Sequence, residues 1–405
     1  MSSIDWKLVS LGKLALINAK SISGKYPYKE IEYIDTSSVT GNEFSPLQRL
    51  KLIDAPSRAK RIVQHGDTII STVRPIQRHF GFIRNPKANT IASTGFAVIT
   101  PKNVNPEFLY YYLSQDSITN YLNGIAETST TTFPAFRPEV LSELEILIPE
   151  DENIQRRIAE ILSALDDKIE LNRQTNATLE AIAQAIFKEW FVDFNFPGAT
   201  GEMVESELGM IPKGWRVGKL GDFGEIRCGK TPSKTNENFF GGNIPFIKIP
   251  DMHNSVFIVE TSDTLTHEGA LSQKNKFLPP NSIIVSCIAT IGLVSLTAEK
   301  SQTNQQINAI VPYRDILTHY AYFTAKNLKD QLMELGSGGS ATLNVNTSSF
   351  SNIKCVIPSD YVLSSFEFLV KPLFEGILAN QQEILTIAKY RDELLPKLMN
   401  GEIDV

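Results

Sequence analysis

The sequence predicts an α+β chain built twice: two similar mixed-sheet domains joined by two long antiparallel coiled-coil helices, with the pseudo-twofold that an internal duplication leaves. Three observations carry this. A set of short segments recurs at one offset, 209 residues, which separates Trp6 from Trp215 and Pro149 from Pro358. Each copy ends in a long stretch with helical spacing of apolar residues. Acidic and mildly basic segments alternate in step with the copies. Residues 1–148 carry 16 Lys+Arg against 13 Asp+Glu, residues 149–214 carry 6 against 13, residues 215–357 carry 13 against 11, and residues 358–405 carry 4 against 8. A fixed-offset repeat decides the architecture before any local feature does.

The copies match element by element. Each opens on Trp and a short polar-apolar alternation, WKLV at 6–9 and WRVG at 215–218. HGDTIISTVRP (65–75) parallels PPNSIIVSCIA (279–289), each a turn followed by a β-branched run that reads as a buried strand. FAVITP (96–101) parallels NAIVP (308–312), and each is followed by one helical segment, 105–122 and 316–335. A loop of small polar residues comes next, ETSTTTFPAF and GSGGSATLNVNTSS, and a last strand ends in Ile-Pro at 148–149 and 357–358. The expected divisions are residues 1–149 for the first domain, 150–195 for the first long helix, 196–214 for a linker, 215–358 for the second domain and 359–405 for the second long helix.

The stretch LDDKIELNRQTNATLEAIAQAIFKEWFVDF (165–194) has no Gly and no Pro. A helix over about 150–193 would extend roughly 60 Å. Apolar residues at Ile154, Ile158, Ile161, Leu165, Leu179, Ile186 and Trp190 fit a heptad, as do Val362, Phe366, Leu369, Leu373, Ile384, Ile387, Leu394 and Leu398. Both stripes are interrupted by Asn, at Asn172 and Asn380. A polar residue on a seam costs stability and fixes register, so the recurrence predicts that the helices pair and act as a ruler. Pro372 should kink the second helix or mark its start, and Pro396 should bend its end. Phe187, Trp190, Phe191, Phe194 and Phe196 exceed what one two-helix seam can bury. They either seat the helix on the second domain or dock a partner.

Most self-contained chemistry is excluded. No apolar run approaches the roughly 20 residues of a membrane span, and MSSIDWKLVSLGKL has no leader pattern, so the cytoplasm is expected. Cys228, Cys287 and Cys355 are scattered, which predicts small buried residues rather than zinc ligands or disulfides. Asn105, Pro106, Glu107 and Phe108 resemble a damaged methyltransferase loop, but Asn as N-cap with Pro after it is a helix start. The Gly-rich 336–340 stretch follows a helix rather than a strand, and His267-Glu268 lacks a second His. No catalytic residue, metal ligand or cofactor is expected in this chain.

What remains are polar loops on two related frames. In the first copy these offer Arg58, Lys60 and Arg61 before a strand, Arg74, Gln77, Arg78 and His79 after one, and Thr130, Thr131 and Thr132. In the second they offer Lys230, Thr231 and Lys234, then Lys274 and Lys276, then Ser340, Thr342 and Asn344. Arg, Gln and Asn read base edges, whereas Lys, Ser and Thr hold phosphates, so these are the candidate DNA-binding residues. A local basic face binds DNA even when the whole chain has net charge −6. A duplicated protein scaffold indifferent to DNA is the alternative.

Several stretches resemble the DNA-specificity subunit of Type I restriction-modification systems. CGKTP (228–232), GGNIPFIK (241–248) with Asp251, and TNQQIN (303–308) are similar to motifs of that family's target recognition domains, with Phe246 where Trp is more usual. IQRRI (154–158), FVDF (191–194) and LLPKLMNG (394–401) resemble its helical regions. Residues 10–60 lack the GKTP and IPF motifs. The resemblance adds Lys248 to the DNA-binding candidates. It implies a non-catalytic subunit that reads a split double-stranded DNA target, one recognition domain per half-site. The helices would set the spacer and hold the methyltransferase subunits, two of them, through Ile158, Leu165, Asn172, Leu179, Trp190, Phe191, Phe194, Asn380, Ile387 and Leu394. S-adenosylmethionine, ATP and magnesium would belong to the methyltransferase and restriction partners.

Overall fold

A two-stranded antiparallel pair closes each copy. Trp6–Ser10 pairs with Glu145–Pro149, Trp6 opposite Pro149, and Arg216–Lys219 pairs with Lys354–Ile357, Arg216 opposite Ile357. The first and last strands of each copy are thus neighbours, as the 209-residue offset requires. The computed structural model describes residues 4–128, 133–337 and 344–405. The chain divides into two compact units, one of residues 1–168 and 387–405, the other of residues 169–386. Among the described residues no helix is long and apolar enough to cross a membrane.

Unit 1 holds two four-stranded sheets. One runs Ala15–Ile17, Phe96–Pro101, Thr68–Ser71, Phe80–Phe82, all antiparallel. The TII run is central there and wholly buried, which explains its unbroken β-branched character. The other runs Gln48–Lys51, Glu30–Ile34, Thr90–Ser93, Ala59–Ile62, and is mixed because Glu30–Ile34 and Thr90–Ser93 are parallel. Unit 2 repeats the plan with a five-stranded sheet, Gly224–Cys228, Ile307–Pro312, Ile283–Ser286, Val294–Thr297, Phe257–Ile258. Its three-stranded sheet contains the equivalent parallel pair, Phe240–Ile247 with Gln302–Thr303.

Three local expectations are corrected. The single helix expected over 105–122 is two, Pro106–Ser114 and Asp116–Glu127, because Gln115 takes an extended ψ of 147°. Its counterpart also breaks, into Thr318–Asn327 and Lys329–Gly336 around Leu328. The expected linker carries a hairpin, Met203–Ser206 against Gly209–Pro212. The start at Asn105 is as read: its side chain accepts the Phe108 N–H at 2.9 Å, with Pro106 next.

The long helices are Glu152–Phe191 and Asp360–Met399, 40 residues each. Neither Pro372 nor Pro396 starts or ends the second. Both are exposed, where a missing N–H leaves only a solvated carbonyl. The seam differs in phase from the expected one. Ile161 and Leu369 are exposed, and their neighbours Leu162 and Val370 are buried instead. Ile169, Ala183 and Phe187 on the first helix, and Leu363, Phe374 and Ile377 on the second, are also buried. Ile158 is buried, and Leu165, Leu179, Ile387 and Leu394 are half-buried.

Polar layers punctuate the seam. In unit 2 the Asn172 amide donates to Glu383 at 2.8 Å and the Asn380 amide to Asn176 at 2.9 Å, so the two expected Asn residues meet other partners rather than each other. In unit 1 Arg391 donates to Asp166 at 2.7 Å. The aromatic excess at the end of the first helix seats that helix on the body of unit 2. Phe187 lies 5.3 Å from Phe323, Phe191 lies 4.7 Å from Tyr320 and 4.9 Å from Phe366, and Phe194 and Phe196 flank Trp215. Trp190 is buried there as well.

The corrected seam separates two substitutions. Phe187→Ala should lower stability by about 3–5 kcal/mol, whereas Ile161→Ala should stay within about 0.5 kcal/mol. Urea unfolding of both variants checks this, and equal losses would restore the original phase.

Candidate nucleic-acid interface

One hairpin frame recurs at the loop end of both units. In unit 1 the Thr72 N–H donates to Gly95 O at 2.8 Å and Phe136 N–H donates to Thr72 O at 3.0 Å. In unit 2 the Cys287 N–H donates to Gln306 O at 2.8 Å and Val345 N–H donates to Cys287 O at 2.9 Å. Single bridges follow at matching places, Val73 with Ala135 and Ile288 with Asn344. The next residue is left-handed in both, Arg74 at φ +48° and Ala289 at φ +61°. Non-glycine residues seldom adopt this conformation, and they persist in it where the surroundings over-determine them. These backbone bonds gather the 72–79, 94–95 and 133–136 loops in unit 1, and the 287–292, 303–306 and 344–346 loops in unit 2.

The side chains on the frames differ. In unit 1 Arg74, Ile76, Gln77 and Arg78 are exposed around the short turn Pro75–Gln77. The Arg74 guanidinium lies 4.8 Å over the Phe133 ring. Arg78, also left-handed, is ion-paired with Asp116 and lies 5.4 Å over Phe80. His79 turns inward, its Nδ1 2.6 Å from Val39 O. Arg58 adjoins this group, since its carbonyl accepts the Thr94 N–H, and Asp35 holds its guanidinium at 2.9 Å. Lys60 and Arg61 instead run away along Ala59–Ile62. Lys60 is exposed, and Arg61 is half-buried beside Ser21.

In unit 2 the Lys230 N–H donates to Thr303 O and the Thr231 hydroxyl to Gln305 Oε1 at 2.7 Å. Lys234 is exposed beyond them. Gly229 has no room for a side chain, because a Cβ there would stand 2.1 Å from Asn304 O. Lys248 ends the strand that pairs with Gln302–Thr303 and is ion-paired with Asp263. The matching strand end in unit 1 carries Asp35, so the charge is reversed. Lys274 and Lys276 lie on a turn beside Phe277, whose carbonyl accepts from Arg227. Asn344 is exposed on its loop, while Thr130, Thr131, Thr132, Ser340 and Thr342 lie outside the described residues. Sequence reading missed Phe133, Ile76 and Gln305. Gln305 was visible only as part of a motif, and nothing in spacing places Phe133 under Arg74.

Each frame is also anchored to a long helix by a tyrosine. The Tyr111 hydroxyl donates to Asp166 Oδ2 at 2.8 Å in unit 1, and the Tyr322 hydroxyl to Glu180 Oε1 at 2.8 Å in unit 2, where Lys326 pairs with the same carboxylate. Burial first, and then the neighbouring carboxylate, holds both phenols far above their usual range, so they remain donors at any physiological pH. Cys287 and Cys355 are buried, and burial pushes the thiols up to about 11 and about 12. Both stay protonated and unreactive.

Comparison with known proteins places this arrangement in context. The sequence profile of the Type I restriction modification DNA specificity domain matches residues 3–181 and 212–404. The chain is 39% identical to the Type I restriction enzyme HindI specificity subunit of Haemophilus influenzae, over 98% of this chain and 100% of the relative. It is 33% identical to the MjaIX specificity subunit of Methanocaldococcus jannaschii, over 85% of this chain and 79% of the relative. The fold is similar to that of the Type I restriction-modification S subunit from M. genitalium, with TM-score 0.58 and 16% identity, over 98% of this chain and 97% of that one.

The packing at Gly229 gives a local test. Gly229→Ala should cost about 1–3 kcal/mol by overpacking and speed amide exchange at Lys230 and Cys287, leaving unit 1 amides unchanged. Unaltered exchange at both would mean that the 228–231 and 303–306 loops are not one body.

Proposed function

The chain belongs to the specificity subunits of Type I restriction-modification systems, and from that premise we propose that each unit reads one half of a split double-stranded DNA target through its loop cluster. The observation that carries this is the shared hairpin frame with different tips: Arg74, Gln77 and Arg78 in one unit, Ala289 and Thr290 in the other. A common backbone with unlike donors suits two half-sites of different sequence. The unread spacer between half-sites is then governed by the long helices.

The methyltransferase subunits, in this reading, dock on the helix faces turned away from the seam. On the unit 2 portion of the first helix Leu171 and Ile182 are exposed with Thr175 and Thr178 between them, a second heptad-spaced stripe. On the second helix Phe368 is 79% exposed beside Leu369. Large apolar residues in such stripes mark interaction surfaces rather than ordinary solvated helix. S-adenosylmethionine, ATP and magnesium are assigned to the partner subunits, with the chemistry they supply.

Exchanging residues 1–149 for the equivalent segment of a relative tests the modular reading. The complex with methyltransferase subunits should methylate a motif changed in one half only, and a change in both halves rejects the proposal. A scaffold indifferent to DNA would leave the motif unaltered. Leu171→Asp with Phe368→Asp should reduce co-purification of the methyltransferase subunits by at least about tenfold, since charges would replace apolar contacts at an interface core. Undiminished co-purification would move the docking face elsewhere.

A further inference from the structure

We propose that Arg74 reads a guanine, through its major-groove edge, in the half-site taken by unit 1. The inference rests on the proposed DNA-reading role of the loop clusters and deepens it to one base.

Arg74 is fixed at both ends. Its backbone is left-handed, its N–H donates to Pro134 O at 2.9 Å, and its carbonyl accepts the Gln77 N–H at 2.9 Å. Its guanidinium rests on Phe133. Stacking on a ring holds the plane of the group while leaving its N–H edge open. Its neighbours on the same face have spent theirs: Arg58 on Asp35, Arg78 on Asp116, and Arg84 on Glu107 and Asp167. Among the described residues no carboxylate forms an ion pair with Arg74. A planar donor fork held in place and left without an acceptor fits two acceptors side by side.

Guanine O6 and N7 offer that pair in the major groove, and a phosphate offers it too. Two features favour the base. A phosphate contact works from a mobile side chain and needs no stacked, strained support. Ile76, 57% exposed, projects from the same three-residue turn with Gln77. An apolar side chain is out of place against the phosphate backbone but suits the base-edge surface, where thymine presents a methyl group. Unit 2 has Ala289 at the equivalent left-handed position, so the requirement falls on one half-site only.

The test uses the full complex with its methyltransferase subunits. Methylated motifs are mapped by sequencing, and binding is titrated on duplexes carrying the mapped target. With Arg74→Ala, one G·C position in the unit 1 half-site should become degenerate and affinity for the matched duplex should fall about 10- to 100-fold, with the other half-site unchanged. That intact half-site certifies the fold of the variant. Arg74→Lys keeps the charge but cannot span both acceptors, so it should show the same degeneracy. Replacing that guanine with 7-deazaguanine should weaken the wild type and leave Arg74→Ala unaffected. Uniform weakening on all sequences, a guanine still required by Arg74→Lys, or a unit 1 half-site without a G·C pair would overturn the assignment. Absence of any sequence preference in the wild-type complex would instead reject the proposed function itself.

Discussion

The polar layers in the helix seam are the constraint on which the rest depends. Asn172 is buried, and its amide is satisfied only where Glu383 stands opposite; Asn380 likewise needs Asn176. Apolar seam residues tolerate a slide of one heptad, since one Leu or Ile replaces another. Asn172 does not, because an unpaired buried amide costs about 1–3 kcal/mol. In unit 1 the Arg391–Asp166 pair enforces the same choice more severely, as a stranded buried charge costs more than a stranded amide. Register is thus decided by polar groups that contribute little net attraction.

Register then fixes the bodies. Asp166 serves both the seam, through Arg391, and the recognition body of unit 1, through Tyr111. Glu180 does comparable work in unit 2, taking Tyr322 and Lys326. A slid helix would present a different residue to each tyrosine and leave a phenol without its acceptor. The aromatic cluster around Phe187 and Phe191 adds area to this connection, while the tyrosines give it a unique position. In each unit the loop frame is therefore built on a helix whose rotation and height are both set.

The duplication, the buried strands and both long helices were legible because each rests on a strong periodic signal. The failures are local and have local causes. Ile161 and Leu162 are adjacent and both apolar, so spacing alone cannot say which faces inward; Leu369 and Val370 pose the same choice. Arg391 was overlooked because a heptad search passes over charges, yet it occupies a seam position between Ile387 and Leu394. Helical periodicity runs through Gln115 and Leu328 without interruption, whereas the backbone breaks there to follow the sheet beneath. Of the candidate site, basic loops were visible as composition. Which arginines are already paired was not, since Asp35 and Asp116 lie 23 and 38 residues from Arg58 and Arg78.

The division of labour within the loop clusters explains how one frame accommodates two chemistries. Thr72 and Cys287 make the same two backbone bonds, and Arg74 and Ala289 take the same left-handed turn. A left-handed residue costs roughly 1–2 kcal/mol over its right-handed form, whatever its side chain beyond Cβ. The frame meets that cost with main-chain hydrogen bonds, which are indifferent to sequence. A change from alanine to arginine at this position therefore alters neither the turn nor its support. What it changes is the set of donors facing outward, and with it the surface that can be read.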